Sequence, residues 1–588
     1  MSLPFSQKMR RLSALIPCLL VLAVLSDQAV ETYVDPFPDP GLSTNGGLWP
    51  LPQKIKYQNE NRTIRKGAVS IIFEDPKQGS CDILDFARRT YEREWFFPNR
   101  AMINKTPNSF RLIITLHSKC PEKNEYPQQN MSEEYRLVVP PSGDATLEAD
   151  EVWGVLRGLE TFSQLIFQKN GQYYVRAVDI HDWPEYPVRA SRHFLPKSTI
   201  LRQLDIMAAN KFNLLHWHIV DSQSFPYVSK KFPNLSEKGA YTQQHIYSKS
   251  AVQDILDHAR LRGIRVMVEF DTPGHMGSWK GQLGLLAECK DQMGHVVPSN
   301  LIDPSFDNNY KFLKSFFDEI LSVFPERFIH LGGDEVSFWL ECWKGNPKIR
   351  DFMERKGMGD NFTQLEDYHY GKLQDLMREL FGNDETARMI FWQEVFQFNN
   401  PYPNAIAHLW QLSEDDLKKS IQDLTSKGHQ VIVSSGWYLN YIQYGKDYDK
   451  YYYHDIRNFN GTEEQKKMVL GGIAAVWGEF INSANVETVL WPRASAVAER
   501  LWSNIKSTPS ADDAWPRLHE HSCRLTQRGF RMIPLNGPDY CPTEFEESSQ
   551  RIFQLVVKSH EVRAKNVKLA LKVETFNYLE AKNQELNN

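Results

Sequence analysis

Phe328 to Val336 reads F-I-H-L-G-G-D-E-V: a short apolar run, two glycines, then two neighbouring acids. Such a run, bounded by turn residues, predicts a buried strand. The glycines let the backbone turn sharply and leave room beside it. Asp334 and Glu335 then fall where the strand runs out, followed by V-S-F-W. A carboxyl hemmed in by tryptophan and a second carboxylate is expected to hold its proton to higher pH, as a general acid must. Alone, G-G-D-E is equally the pattern of a turn with solvated acids.

Outward from this stretch the same design repeats. Apolar runs occur at Asn213–Val220, Ile264–Phe270, Arg327–Leu331, Met389–Val395, Ala405–Trp410, Gln430–Ser434 and Ile473–Gly478. Longer helical patterns separate them, such as Ser250–Arg262, which begins on a capping serine and stops at Gly263. Alternation of this kind predicts parallel strands with crossover helices. Seven units are one short of a (β/α)8 barrel. The runs end in H-W-H-I-V-D, E-F-D-T-P-G-H, H-L-G-G-D-E-V, W-Q-E-V-F, H-L-W, S-G-W-Y-L-N and V-W-G-E-F. Acids and tryptophans gather at the strand ends, which in such a barrel converge on one mouth.

Before the barrel pattern, strands are expected at Ala68–Phe73 and Phe110–Leu116 and amphipathic helices at Ile83–Trp95 and Ala149–Phe167. We read residues 29–185 as a small α+β domain, closed by a break at D-I-H-D-W-P-E-Y-P, and residues 186–545 as the α/β barrel. Residues 546–588 form a charged, helix-patterned tail.

With 68 Lys+Arg against 73 Asp+Glu among 588 residues, the net charge is −5. That balance carries no basic stripe and argues against nucleic acid as a partner. Lys8, Arg10 and Arg11 precede the apolar stretch Leu12–Leu25, so residues 1–28 are expected to be a cleaved secretory signal, too short for a membrane span. Export permits disulfides. Cys18 leaves with the signal, and Cys81, Cys120, Cys289, Cys342, Cys523 and Cys541 remain. Fifteen pairings are open to six cysteines. Nearness in sequence favours Cys81–Cys120, Cys289–Cys342 and Cys523–Cys541. Asn61, Asn104, Asn130, Asn234, Asn361 and Asn460 each open an N-x-S/T glycosylation sequon.

The ordered strings N-K-F-N-L-L-H-W-H-I-V-D, E-F-D-T-P-G-H, H-L-G-G-D-E-V, F-W-Q-E-V-F, G-W-Y-L-N and W-P-R-A-S-A-V-A-E-R-L-W resemble glycoside hydrolase family 20, the β-N-acetylhexosaminidases, over about residues 45–541. The resemblance is nearest to the animal lysosomal-type alpha and beta subunits. It implies a small α+β domain followed by a (β/α)8 barrel. It also implies exo-acting, substrate-assisted, retaining hydrolysis of terminal β-linked N-acetylhexosamines, without a cofactor. By the resemblance, Glu335 is the general acid/base and Asp334 orients the substrate acetamido group, whose oxygen is the nucleophile. Tyr438 donates to that oxygen, and Trp392, Trp410 and Trp477 wall the pocket. Arg189, Asp221 and Glu479 meet sugar hydroxyls, Asn440 lies in the same motif, and His275 with Asp271 supports the acid/base. The family further implies a homodimer, and a secretory-pathway location, lysosomal or extracellular.

Three features depart from that picture. The family has an apolar strand between an arginine and a Ser-Arg-His string, whereas here Pro187–Pro196 reads P-V-R-A-S-R-H-F-L-P. The missing segment coincides with the missing eighth strand, which makes the placement of Arg189 uncertain in sequence and raises an alternative, a catalytically impaired glycan-binding protein on the same scaffold. Asn440 is followed by Tyr441, so neither the cation of the alpha type nor the acid of the beta type is present. His216 and His218 have the spacing of a metal pair. They sit inside an apolar run with no further histidine cluster in sequence, and satisfied strand-end histidines without a metal are expected.

Overall fold

The computed structural model describes residues 43–542, apart from 75–80, 98–109, 185–188, 193, 292, 442, 444 and 536–539; at 189–192 it describes the backbone alone. The expected signal (1–28), the expected tail (546–588), Asn104 and the Arg189 side chain lie outside the described residues.

Two sheets organise the chain. The first contains β1 (Lys54–Ile64), β2 (Val69–Phe73), β3 (Phe110–Leu116), β4 (Tyr135–Val139), β5 (Ala145–Ala149), β6 (Ile166–Lys169) and β7 (Gln172–Asp182), in the order β1-β7-β4-β5-β3-β2 with β6 on β7. Its strands alternate as half-buried strands must: Phe110, Leu112, Ile114 and Leu116 of β3 are buried while Arg111 is exposed. The apolar face is covered by the helices Asp82–Thr90 and Val152–Gln164. These elements match the expected α+β pattern.

The second sheet is parallel and holds β8 (Arg189–Arg192), β9 (Leu214–His218), β10 (Arg265–Glu269), β13 (Phe328–His330), β14 (Arg388–Trp392), β15 (Ile406–Leu409), β16 (Val431–Val433), β17 (Val469–Gly472) and β18 (Ala474–Val476). A small hairpin, β11 (Cys289–Lys290) with β12 (Val296–Val297), stands apart. The order is β17-β16-β15-β14-β13-β10-β9-β8-β18. Its two ends, β17 and β18, are separated in the chain by Ile473 alone, so the pairing returns to where it began. All seven apolar runs became strands of this sheet.

The missing strand is a correction to the sequence reading. Residues 189–192 pair in parallel with β9 (Arg189↔Leu215 to Arg192↔His218) and with β18 (Ala474↔Arg189 to Val476↔Ser191). A strand held by neighbours on both sides draws its stability from backbone pairing, so four residues without an apolar run suffice. The strand is short, not absent, and the ground for a glycan-binding protein that lost its catalysis falls away.

Period two sets the layers on the enclosed face of this sheet. Leu214, Met267, Phe328, Ile390, Ile406, Ile432, Ile473 and Ala475 form one apolar cluster. Two residues further along the same strands come His216, Glu269, His330, Trp392, His408, Ser434 and, beyond Ala475, Trp477, all buried. The chain thus places a polar, aromatic layer on an apolar base, on the side where the strands end.

Buried polar nodes hold the two sheets together. Asp182, at the end of β7, accepts from Lys211 Nζ (2.7 Å), the Tyr135 hydroxyl (2.7 Å), Trp502 Nε1 (3.0 Å) and the Gln53 amide (2.9 Å). Arg157 pairs with Glu133 at 2.7 Å and donates to the carbonyls of Arg262 and Gly263. Fully satisfied networks of this kind fix relative orientation.

Disulfides join Cys81–Cys120, Cys289–Cys342 and Cys523–Cys541, with Cα separations of 6.0, 4.6 and 5.3 Å. Asn61, Asn130, Asn234, Asn361 and Asn460 are all exposed. Among the described residues no helix is long and apolar enough to cross a membrane.

Candidate active site

Past β13 the backbone folds back sharply: Gly332, Gly333 and Glu335 have φ of 75°, 105° and 56°. A Cβ on Gly332 would lie 1.6 Å from Asp271 Oδ1, and one on Gly333 2.4 Å from Val395. Glycine is therefore required at both positions. Glu335 is not a glycine, and its left-handed backbone stores strain at the residue expected to be the acid/base. His275, across the site, shares this conformation with φ 55°.

The turn brings the expected acids together. His275 Nε2 lies 3.4 Å from Glu335 Oε2 and 3.5 Å from Asp334 Oδ2. Its other nitrogen, Nδ1, is 3.2 Å from Asp221 Oδ1. Burial disfavours charge on His275, but Asp334, Asp221, Glu335 and Asp271 outweigh it and hold its pKa well above the usual imidazole range. Asp271 accepts the Gly333 amide at 2.9 Å. Burial and the neighbouring Asp334 push its carboxyl well above the ordinary range. The sequence reading set Asp271 beside His275 and Asp221 at the sugar; in the structure Asp221 makes the direct bond to His275.

Four aromatic rings close into a box next to these acids. Trp392 meets Trp410 at 6.1 Å and Trp477 at 5.9 Å, while Tyr438 meets Trp410 at 6.0 Å and Trp477 at 6.2 Å. Strand ends explain the gathering: Trp392 ends β14, Trp410 follows β15, and Trp477 follows β18. Tyr438 is bridged to Ala475 of β18. Burial raises the Tyr438 pKa well above the usual phenol value, and Asp334 adds to the shift, so its hydroxyl remains a donor. Asn440 is half-buried, and its Oδ1 has no hydrogen-bond partner among the described residues. Glu479 is exposed just beyond Trp477.

Beside Glu335 a cavity of about 310 Å³ opens outward between Phe338, Leu340, Glu366, Glu394, Phe398 and Gln411. Glu394 receives the Trp410 indole N–H at 3.1 Å. Burial and the nearby Asp334 raise its pKa to about 7. A larger open groove, about 510 Å³, crosses the solvent face of the first sheet. Its polar side chains pair with one another, Arg136 with Asp179 and His181 with Glu134, and it lies apart from the acids.

Sequence reasoning missed the polar layer beneath the box. Glu269, His330 and His408 were not singled out, and the statement that no further histidines accompany His216 and His218 is corrected: His330 stacks on His216 at 4.8 Å. The signal was present as the i, i+2 spacing of polar residues inside apolar runs. By distance, two buried sets could gather a cation, His216–Glu269–His330 and Asp271–His275–Asp334, their donor atoms within 4.8 Å. Both are already knit by their own contacts, Glu269 to His216 at 2.7 Å and to His330 at 3.1 Å, which is a proton-sharing arrangement.

The glycosyl hydrolase family 20 catalytic domain matches residues 182–505, and a "beta-acetyl hexosaminidase like" domain matches residues 48–165. The chain belongs to glycosyl hydrolase family 20 and is a β-N-acetylhexosaminidase of that family. It is 47% identical to beta-hexosaminidase A of Caenorhabditis briggsae, over 85% of this chain and 94% of that protein. It is 41% identical to the human beta-hexosaminidase subunit beta, over 89% and 95%. Among solved structures, a chitobiase from Flavobacterium johnsoniae superposes with a TM-score of 0.67 at 26% identity, covering 83% of this chain and 74% of that one.

Proposed function

We propose that this protein releases terminal, non-reducing N-acetylglucosamine and N-acetylgalactosamine from β-linked glycoconjugates or chito-oligosaccharides, with retention of configuration and with the substrate's acetamido group as nucleophile. The observation that carries this reading is the aromatic box of Trp392, Trp410, Tyr438 and Trp477 beside the His275-supported pair Asp334–Glu335.

A sugar ring offers an apolar face to indoles and a polar rim to charged groups. In the proposed first step Glu335 gives its proton to the glycosidic oxygen as the C1–O bond breaks. The acetamido oxygen closes on C1 from the other face, forming an oxazolinium ion. Tyr438 O–H donates to that oxygen and fixes its approach. Asp334 accepts the acetamido N–H and offsets the positive charge, while Asp271, through the Gly333 amide, holds the turn that carries Asp334. In the second step Glu335 takes a proton from water, whose oxygen adds at C1 and reopens the ring to the β-product. Arg189, Asn440 and Glu479 are assigned to sugar hydroxyls, and Asp221, buried with both oxygens engaged, to the support of His275. Acid, base and nucleophile come from the chain and the substrate, so no cofactor enters the scheme. The cavity at Phe338 and Phe398 receives the leaving group.

In this reading the returning strand order is a closed (β/α)8 barrel over residues 186–545, with Arg189–Arg192 as its shortened first strand and residues 29–185 as the α+β domain. Three disulfides and exposed sequons support passage through the secretory pathway to a lysosomal or extracellular destination, and the protein is expected to act as a homodimer. The test is release of chromophore from an aryl N-acetyl-β-glucosaminide by the wild-type protein and by Glu335→Gln. The substitution should remove most of the rate, since general acid catalysis contributes about 10²–10⁴-fold. Full activity in Glu335→Gln, or an inactive but folded wild type, overturns the assignment.

A further inference from the structure

The Glu269 carboxylate, at the end of β10 and without solvent exposure, touches no sugar and has no part in the steps above. Its Oε2 lies 2.7 Å from His216 Nε2 and 2.6 Å from His218 Nδ1. Its Oε1 lies 3.1 Å from His330 Nδ1 and accepts the Trp392 indole N–H at 2.8 Å. On the far side of His218, Nε2 meets Asp221 Oδ2 at 2.7 Å. Asp221 also accepts the Ser222 amide and faces His275 Nδ1, and His275 Nε2 faces Glu335.

A neutral imidazole has one N–H. His218 has a carboxylate within ion-pair distance of each nitrogen, and so does His275, so the imidazolium is the form that both neighbours favour in each case. The sequence Glu269, His218, Asp221, His275, Glu335 then alternates negative, positive, negative, positive up to the acid/base. Consistent with this, burial opposes charge on His218, yet Glu269 and Asp221 raise its pKa to about 9. Burial likewise opposes charge on Glu269, and His218, His330 and His216 hold its pKa well below the usual range. His408, which continues the layer from His330 Nε2 at 3.1 Å, is kept neutral by burial and its histidine neighbours.

We propose that Glu269 and His218 are positioning residues for the acid/base, a buried ion pair that fixes Asp221, and through it His275, against Glu335 while the same Glu269 carboxylate anchors the Trp392 wall of the sugar box. This rests on Glu335 being the acid/base. When Glu335 loses its proton, the His275 imidazolium stabilises the new carboxylate. That imidazolium persists because Asp221 is held against it by His218 and the Ser222 amide. The groups facing this chain are Asp334 and Asp271 at His275, His216 and His330 at Glu269, and the Trp477 ring edge-on to His218 at 5.5 Å.

The experiment is the pH profile of kcat/KM on an aryl N-acetyl-β-glucosaminide for wild type, Glu269→Gln, His218→Gln and the double variant. Without the His275 charge Glu335 becomes a weaker acid, so the alkaline limb should move to higher pH in both single variants. We expect kcat to fall about 10–100-fold, part of what acid catalysis contributes, and KM to change far less in His218→Gln. The double variant should lose no more than the worse single one, because contacts within one network are not additive. Folded variants with an unmoved limb, or losses that multiply, overturn the proposal. Should Glu269→Gln fail to fold, His218→Gln carries the same readout. In the unsubstituted protein, ¹⁵N spectra of labelled histidine at about pH 7.5 should show two rings protonated on both nitrogens, and their absence also overturns it. An inactive wild type refutes the assignment of Glu335 instead, so the two failures are distinct.

Discussion

Gly332→Ala strikes the turn on which the site is built. Gly332 has φ 75°, and placing an L-residue in the left-handed region costs about 1–2 kcal/mol. The added Cβ would sit 1.6 Å from Asp271 Oδ1. Relief requires Asp271 to swing away and give up its 2.9 Å bond from the Gly333 amide, a buried hydrogen bond contributing about 0.5–1.5 kcal/mol. The sum is about 1.5–3.5 kcal/mol, with a second consequence: Asp334 loses its carboxyl neighbour. Gly143→Ala is the control, since Gly143 has φ 86° with nothing within 4 Å of the added carbon, and should cost the backbone term alone. Urea unfolding of both variants measures the difference, and kcat of the folded fraction measures the displacement of Asp271. Equal destabilisation by the two substitutions, with kcat of Gly332→Ala at the wild-type level, would refute the tight contact.

Other outcomes follow from the same geometry. Tyr438→Phe removes only the hydroxyl and should lower kcat about 10²–10³-fold, the usual loss for one preorganised donor, whereas a change confined to KM would remove Tyr438 from the reaction. Lys211→Met strands the buried Asp182 carboxylate, and breaking such a pair costs about 3–5 kcal/mol; three remaining donors place it toward the lower end, and a denaturant midpoint equal to wild type would contradict the node. For pH, His218 has a folded pKa raised to about 9, so its contribution is complete below the unfolded histidine value and is lost as pH rises through about 9. His216 is depressed to about 4 by burial, so its contribution holds above the unfolded value and is lost as pH falls through about 4. Unfolding free energy should therefore decline at both ends, and His218→Gln should flatten the alkaline decline; an unchanged slope there would show that His218 is neutral.

The strand ends were legible because a parallel sheet buried on both faces leaves an unmistakable trace: apolar runs that stop at acids and tryptophans. Asp334 and Glu335 could be set at one mouth from that trace, whereas Tyr438 and the three indoles took their places from the family resemblance. Glu269 and His330 could not, since a polar residue inside an apolar run reads as an exception until period two is followed across several strands at once. The first strand was illegible for a different reason. Its pairing lies in the backbone of Arg189–Arg192, and sequence patterns report side chains. Nor could sequence separate Asp221 from Asp271 as the partner of His275, because both acids follow neighbouring strands and only the turn at Gly332 and Gly333, which takes Asp271 for its own amide, decides between them.

The most direct test of the account concerns the nucleophile. Early product from an aryl N-acetyl-β-glucosaminide, followed by proton NMR before mutarotation, should be the β-anomer, and the aryl β-glucoside that lacks the acetamido group should be turned over at a negligible rate. An α-anomer as first product, or comparable hydrolysis of the plain glucoside, would contradict acetamido participation and with it the roles given to Asp334 and Tyr438.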